Sequence, residues 1–150
     1  MIYLKKFDIT TYSRLLITLY MRIKRTVIQE LTNLAKKSDV RSQHAAAILN
    51  NKGEIIVSAT NYHLHKPYHG KIWKPEGEYT VHAEEAAYIK FIQKYHHLIK
   101  GGKSFILIVI RIQRGGTNCL HSKPCKKCTQ KINKLIKKKV ISKVYYSVPT

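Results

Sequence analysis

Residues 105–110 read Phe-Ile-Leu-Ile-Val-Ile, an apolar run with no polar interruption. It is too short to cross a membrane, and its β-branched content marks a strand buried on both faces. A strand of that kind needs cover on two sides. Downstream, Pro124 suits the first turn of a helix. Cys125, Cys128, Ile132, Leu135 and Ile136 then share one helical face, and residues 140–146 read as a further strand. Strand, helix and strand in succession require a crossover that leaves the two strands parallel or nearly so, with a right-handed connection. The prediction is an α/β domain, a mixed sheet between helices.

The rest of the chain fits that layout. Val27, Leu31, Leu34 and Ala35 recur at helical spacing and predict a helix over residues 26–37. Residues 44–49 and 54–59 are short apolar runs around Asn50-Asn51-Lys52-Gly53, a β-hairpin pattern. Residues 61–80 form a loop rich in Pro, Gly, His, Lys and aromatics. From His82 the period turns helical, with Tyr88, Phe91, Ile92, Tyr95, Leu98 and Ile99 on one stripe, until Gly101-Gly102 ends it. No repeat, low-complexity tract or linker divides the sequence. One domain over residues 21–150 is expected, with residues 1–20 as an appendage and Met21 available as an internal start.

A chain of 150 residues with 44% hydrophobic content can enclose a single core. Residues 15–21 are apolar but short and lack a small-residue cleavage pattern, so no secretory signal is expected. The first 25 residues, basic and hydroxyl-bearing with Asp8 as their only acid, share some traits of an organelle transit peptide. The cytoplasm or another reducing compartment is the expectation. The three cysteines agree: an odd count with one tight pair argues against a disulfide scaffold and for a metal or redox site. Net charge is +20, from 28 Lys and Arg against 8 Asp and Glu. That imbalance points to a polyanionic or phosphate-bearing partner, although any single lysine is as well explained by a solvated surface.

Cys125 and Cys128 lie one helical turn apart, within reach of one tetrahedral metal. Their place at a helix N-terminus should stabilise thiolate and so favour metal binding. Alone, the pair is equally a redox couple or half of a structural zinc site. His82-Ala83-Glu84 narrows the choice. At a helix start His82 and Glu84 diverge by about 200°, so they cannot both ligate one ion from a regular face. They can flank it, with His82 on zinc and Glu84 reaching a water there. Three protein donors and a water make a catalytic zinc arrangement; zinc lowers the pKa of that water toward about 7, and Glu84 can move its proton to the ring nitrogen and the leaving amine. Cys119 and His121 read as ordinary loop residues.

His-Ala-Glu opening one helix and Pro-Cys-x-x-Cys opening the next, after a buried strand, resembles the zinc-dependent cytidine/deoxycytidylate deaminase superfamily. The resemblance runs from His44 to Tyr146 and includes the hairpin, Asn61 after it, and the ending Ile141-Ser-Lys-Val-Tyr-Tyr. It implies a three-layer α/β/α sandwich, one catalytic zinc ion, Glu84 as the catalytic proton carrier, and Asn61 and Ala83 as substrate contacts. Asn61 can also be a plain turn residue that caps a strand. Family members commonly add a helix and a fifth strand beyond the Tyr146 position. The sheet is therefore expected to be a strand short, or to have its edge covered by residues 1–20 or a partner subunit. Ser122-Lys-Pro-Cys-Lys-Lys-Cys looks closer to deoxycytidylate-like and large-DNA-virus or phage relatives than to free cytidine deaminases.

The loop ahead of His82 is the expected source of specificity. Trp73 can stack on a base while Lys66, with Lys71 and Lys74, meets phosphate. Its histidines leave room for a second, structural zinc. Lys123, with Arg111 and Arg114, is expected at the opposite rim. The expected reaction is hydrolytic deamination of a cytosine nucleoside or nucleotide of the CMP or dCMP type, within nucleotide metabolism, by a homo-oligomer with no membrane partner. The alternatives are a deaminase acting on a base within RNA or single-stranded DNA and a catalytically silent, zinc-stabilised nucleic-acid-binding module.

Overall fold

A computed structural model describes residues 3–6, 23–64, 80–116 and 118–149. The elements run β1 (Tyr3–Lys6), α1 (Arg25–Ala35), β2 (Gln43–Leu49), β3 (Ile55–Thr60), β4 (Tyr62–His63), β5 (Thr80–Val81), α2 (Ala83–Lys100), β6 (Phe105–Ile112), β7 (Cys119–Leu120), α3 (Lys126–Lys137) and β8 (Ile141–Val148). The main sheet follows the order β1-β8-β6-β2-β3, with β7 paired to β6 beside that path, and β4 and β5 form a small ribbon of their own. β6 and β8 are parallel, as the intervening helix requires. β2 runs antiparallel to both β3 and β6, and β1 antiparallel to β8.

β6 organises the layers. Strand residues alternate between faces, so Ile106, Ile108, Ile110 and Ile112 pack with Val27, Leu31 and Ala35 of α1. Phe105, Leu107 and Val109 turn the other way, toward Ala86, Ala87 and Phe91 of α2 and Ile132 of α3. Ile108, Val109 and Ile110 are fully enclosed. The result is the three-layer α/β/α sandwich, with α1 on one face and α2 and α3 on the other. In the hairpin between β2 and β3 Gly53 takes φ 78°, a left-handed conformation that a side chain would strain. Asn50 Oδ1 accepts from the amides of Lys52 and Glu54 across the same turn.

Of the arrangements expected at the sheet edge beside β8, cover by residues 1–20 is the one found: β1 pairs there, with Tyr3 opposite Val148, and the main path has five strands. Other expectations shift. Pro124 lies outside α3: Cys125 is the N-cap, with its Sγ 3.5 Å from the Cys128 amide, so the proline precedes the helix and its fixed φ shapes the approach. His82 is likewise the N-cap of α2, extended at φ −71° and ψ 151°. β4, β5 and β7, two residues each, are too short to leave a periodic signal.

Candidate metal centre and cleft

Helices α2 and α3 point their N-terminal ends at the same spot. His82, the N-cap of α2, and Cys125, the N-cap of α3, meet there with Cys128 from the first turn of α3. His82 Nδ1 lies 3.5 Å from Cys125 Sγ and 3.2 Å from Cys128 Sγ. All three donor atoms fall within 4.8 Å of one another. Around a tetrahedral zinc with ordinary bond lengths, nitrogen and sulfur donors stand about 3.6 Å apart. Two thiols and an imidazole at these separations fit zinc in chemistry and in size. Cys119, buried in β7, and His121, whose ring lies 5.5 Å from that of Tyr146, are not part of the cluster.

Electrostatics at the cluster call for a cation. The Cys128 thiol is pushed well above its ordinary range, first by burial and then by the Glu84 carboxylate and Cys125. A helix N-terminus favours thiolate, but burial and the like charges of Glu84, Cys125 and Glu85 outweigh it here. A divalent ion relieves both penalties at once. Glu84 is itself only 8% exposed, and burial raises its carboxyl above the usual range, opposed by its own backbone N–H and by His82. Glu85, one residue on, points outward and pairs with Lys131, joining the first turn of α2 to the second turn of α3 beside the cluster. That pairing lowers the Glu85 carboxyl.

A cleft of about 310 Å³ opens on the cluster, lined by Val40, Ser42, His44, Asn61, Thr80, His82, Ala83, Glu84, Ser122, Lys123 and Cys125. Asn61, Ala83 and Lys123, predicted as substrate contacts from separate parts of the sequence, all line it. Lys66 and Trp73 lie outside the described residues. Asn61 is 5% exposed and already heavily engaged. Its Oδ1 accepts from Ser38 Oγ at 2.7 Å and from the His44 amide at 2.9 Å, and its Nδ2 donates to the Ser42 carbonyl at 2.6 Å. It ties the start of β2 to the end of β3 and leaves one Nδ2 proton for the cleft.

Five wall residues, Val40, Ser42, His44, Thr80 and Ser122, escaped the sequence reading, and two of them bear on the site. Ser122, 3% exposed, donates to the Val109 carbonyl at 2.8 Å and accepts from the Ser147 amide at 2.8 Å. Ser147 Oγ in turn donates to the Leu120 carbonyl at 2.7 Å, so the segment leading into Cys125 is pinned to β6 and β8. His44 is the second. It precedes an alanine run at the head of β2, and nothing in its local sequence marks it as a cleft residue.

An α/β sandwich with three soft and borderline donors at two helix N-termini, and a buried carboxyl beside them, defines a zinc-dependent enzyme class in which three protein donors leave one coordination position open. The sequence matches the family described as the cytidine and deoxycytidylate deaminase zinc-binding region over residues 21–145. The chain belongs to that family, and zinc-dependent deamination follows as its general chemistry. No curated protein matches the sequence. No helix among the described residues is long and apolar enough to cross a membrane.

Proposed function

We propose that the protein hydrolyses the exocyclic amine of a cytosine nucleoside or nucleotide of the CMP or dCMP type, releasing ammonia and the uracil product. The observation that carries this reading is Glu84, a buried carboxyl in the same cleft as His82 and Cys125. A purely structural zinc site has no use for such a group. When bound by His82, Cys125 and Cys128, zinc supplies a water acidic enough to act as nucleophile near neutral pH.

The chain's own residues do the rest. Glu84 takes one proton of the water and delivers it to the ring nitrogen, then takes the second from the resulting hydroxyl and delivers it to the amine, which leaves as ammonia. Ala83, small and 1% exposed, lets the base ring lie flat against the start of α2. Lys123 at the rim, with Lys66 on the loop before His82, meets a phosphate, and Trp73 stacks on the base. Asn61 offers its one remaining amide proton to the sugar.

The charge of +20 favours a second reading, in which the base belongs to RNA or single-stranded DNA and the lysines track the backbone. Ammonia release from cytidine, CMP, dCMP and a short RNA, with and without a zinc chelator, separates the two. Turnover of the RNA alone would replace the leading reading with the second. Zinc binding without turnover of any of the four would leave a silent binding module.

A further inference from the structure

His44 projects from β2 on the same face as Ala46 and Ile48, which pack against α2, so its ring lies on the metal side of the sheet. It is half-buried and lines the cleft with His82, Ala83 and Glu84. Its position is fixed at several points. The backbone amide donates to Asn61 Oδ1, and the carbonyl accepts from Thr60 Oγ1 at 2.9 Å. Nδ1 lies 3.0 Å from the Ser42 carbonyl, the same oxygen that accepts from Asn61 Nδ2.

That last contact fixes the tautomer. A carbonyl oxygen can only accept, so Nδ1 must carry the proton. Burial lowers the proton affinity of the ring, opposed by the bond to the Ser42 carbonyl and helped by Arg111 and His82 nearby. A neutral imidazole protonated at Nδ1 presents a bare Nε2 lone pair, which is an acceptor. Among the groups a substrate brings, its partner follows by elimination. In a cytosine nucleoside the ring carries one N–H donor group, the exocyclic amine, and adenine likewise carries one. In either substrate that amine must stand at Glu84 and the metal donors, because it is the leaving group. A phosphate at neutral pH is almost wholly acceptor. The donors left are the sugar hydroxyls.

We propose that His44 Nε2 accepts a hydrogen bond from a ribose hydroxyl and makes the cleft select for a hydroxylated sugar. The inference rests on the nucleoside-deaminase reading above and adds to Asn61 a second group that meets the sugar. Asn61, whose side chain holds both the His44 amide and the Ser42 carbonyl, also positions the ring.

The test compares kcat/KM for cytidine, 2′-deoxycytidine and 3′-deoxycytidine, each as nucleoside and as 5′-monophosphate, in the wild-type protein, His44→Ala and His44→Gln. Wild type should lose roughly 10- to 100-fold on the analogue that lacks the bonded hydroxyl, the range for a buried acceptor left unpaired. In His44→Ala that ratio should fall toward one, while zinc content stays at the wild-type level. His44→Gln, which keeps an acceptor, should restore part of the ratio. Should the alanine protein fail to fold, His44→Leu fills the same space without an acceptor and carries the comparison. Equal sugar ratios in wild type and the acceptor-free variant would overturn the role of His44 and leave the deaminase reading standing. A wild-type protein that turns over none of the six substrates would overturn both.

Discussion

Glu84 sits with little water around it and two thiols nearby, so ionising it is unfavourable until a cation arrives. Glu84→Gln should keep zinc, because the carboxyl is not one of the donors, and should lose deamination by several orders of magnitude, because proton transfer is removed. Zinc analysis beside an ammonia assay checks both halves, and near-normal turnover would remove Glu84 from its role. The same substitution has an effect on stability whose sign follows from linkage. The folded carboxyl binds its proton more tightly than the unfolded one, whose ordinary value is 4.5. Its contribution is therefore fully present below 4.5 and is lost as pH rises through the folded value. After chelation of the metal, Glu84→Gln should match the parent near about pH 4 and exceed it near about pH 8 in urea denaturation. Asn61 illustrates the reach of sequence reading at this scale. Its presence after the hairpin was legible, but its ties to Ser38, Ser42 and His44 were not. They join segments whose spacing carries no periodic signal, and for the same reason His44 went unseen.

At the level of elements, two helices converge on one point, and different forces hold each end. Toward the metal, the donors span two helices, so Cys128→Ala should lower zinc content and thermal stability together. Full zinc occupancy in that variant would place the metal elsewhere. The Glu85–Lys131 pair bridges the same two helices, yet Lys131 keeps 47% of its side-chain surface in water. Lys131→Ala should therefore cost less than about 1 kcal/mol. Further along α2, Phe91 is fully enclosed and meets Phe105 edge-on at 4.8 Å. Phe91→Ala should cost about 3–5 kcal/mol, through lost burial and the cavity left behind. Chemical denaturation of both variants checks the contrast, and equal losses would refute it. The helices, the hairpin and the buried strand were legible because each carries several turns or alternations of apolar residues. The short ribbon and β7 carry none, and the pairing of β1 with β8 depends on partners at opposite ends of the sequence.

For the whole molecule, the surplus of lysine over acid asks to be read through salt. A mononucleotide offers one phosphate to a few groups at the rim of the cleft, so its kcat/KM should decline only gently as salt rises. A 20-residue RNA would neutralise many lysines and release many counterions, and its affinity should fall steeply on a logarithmic scale. Measuring both across one salt series distinguishes a metabolic enzyme with a basic coat from one that works on strands. Steep dependence with no turnover of CMP or dCMP would favour the strand reading.

The antiparallel seat of β1 on β8 also imposes an order in time. Residues 3–6 leave the ribosome well ahead of residues 145–148, with which they pair. Closing so long a loop is slow. While the helices and inner strands assemble, the outer backbone groups of β8 have no partner, and a neighbouring chain on the same polysome can supply one. Backbone amides in β1 should be the last of the sheet to gain protection in pulsed hydrogen exchange during refolding. Yield should fall with chain concentration most sharply in that interval.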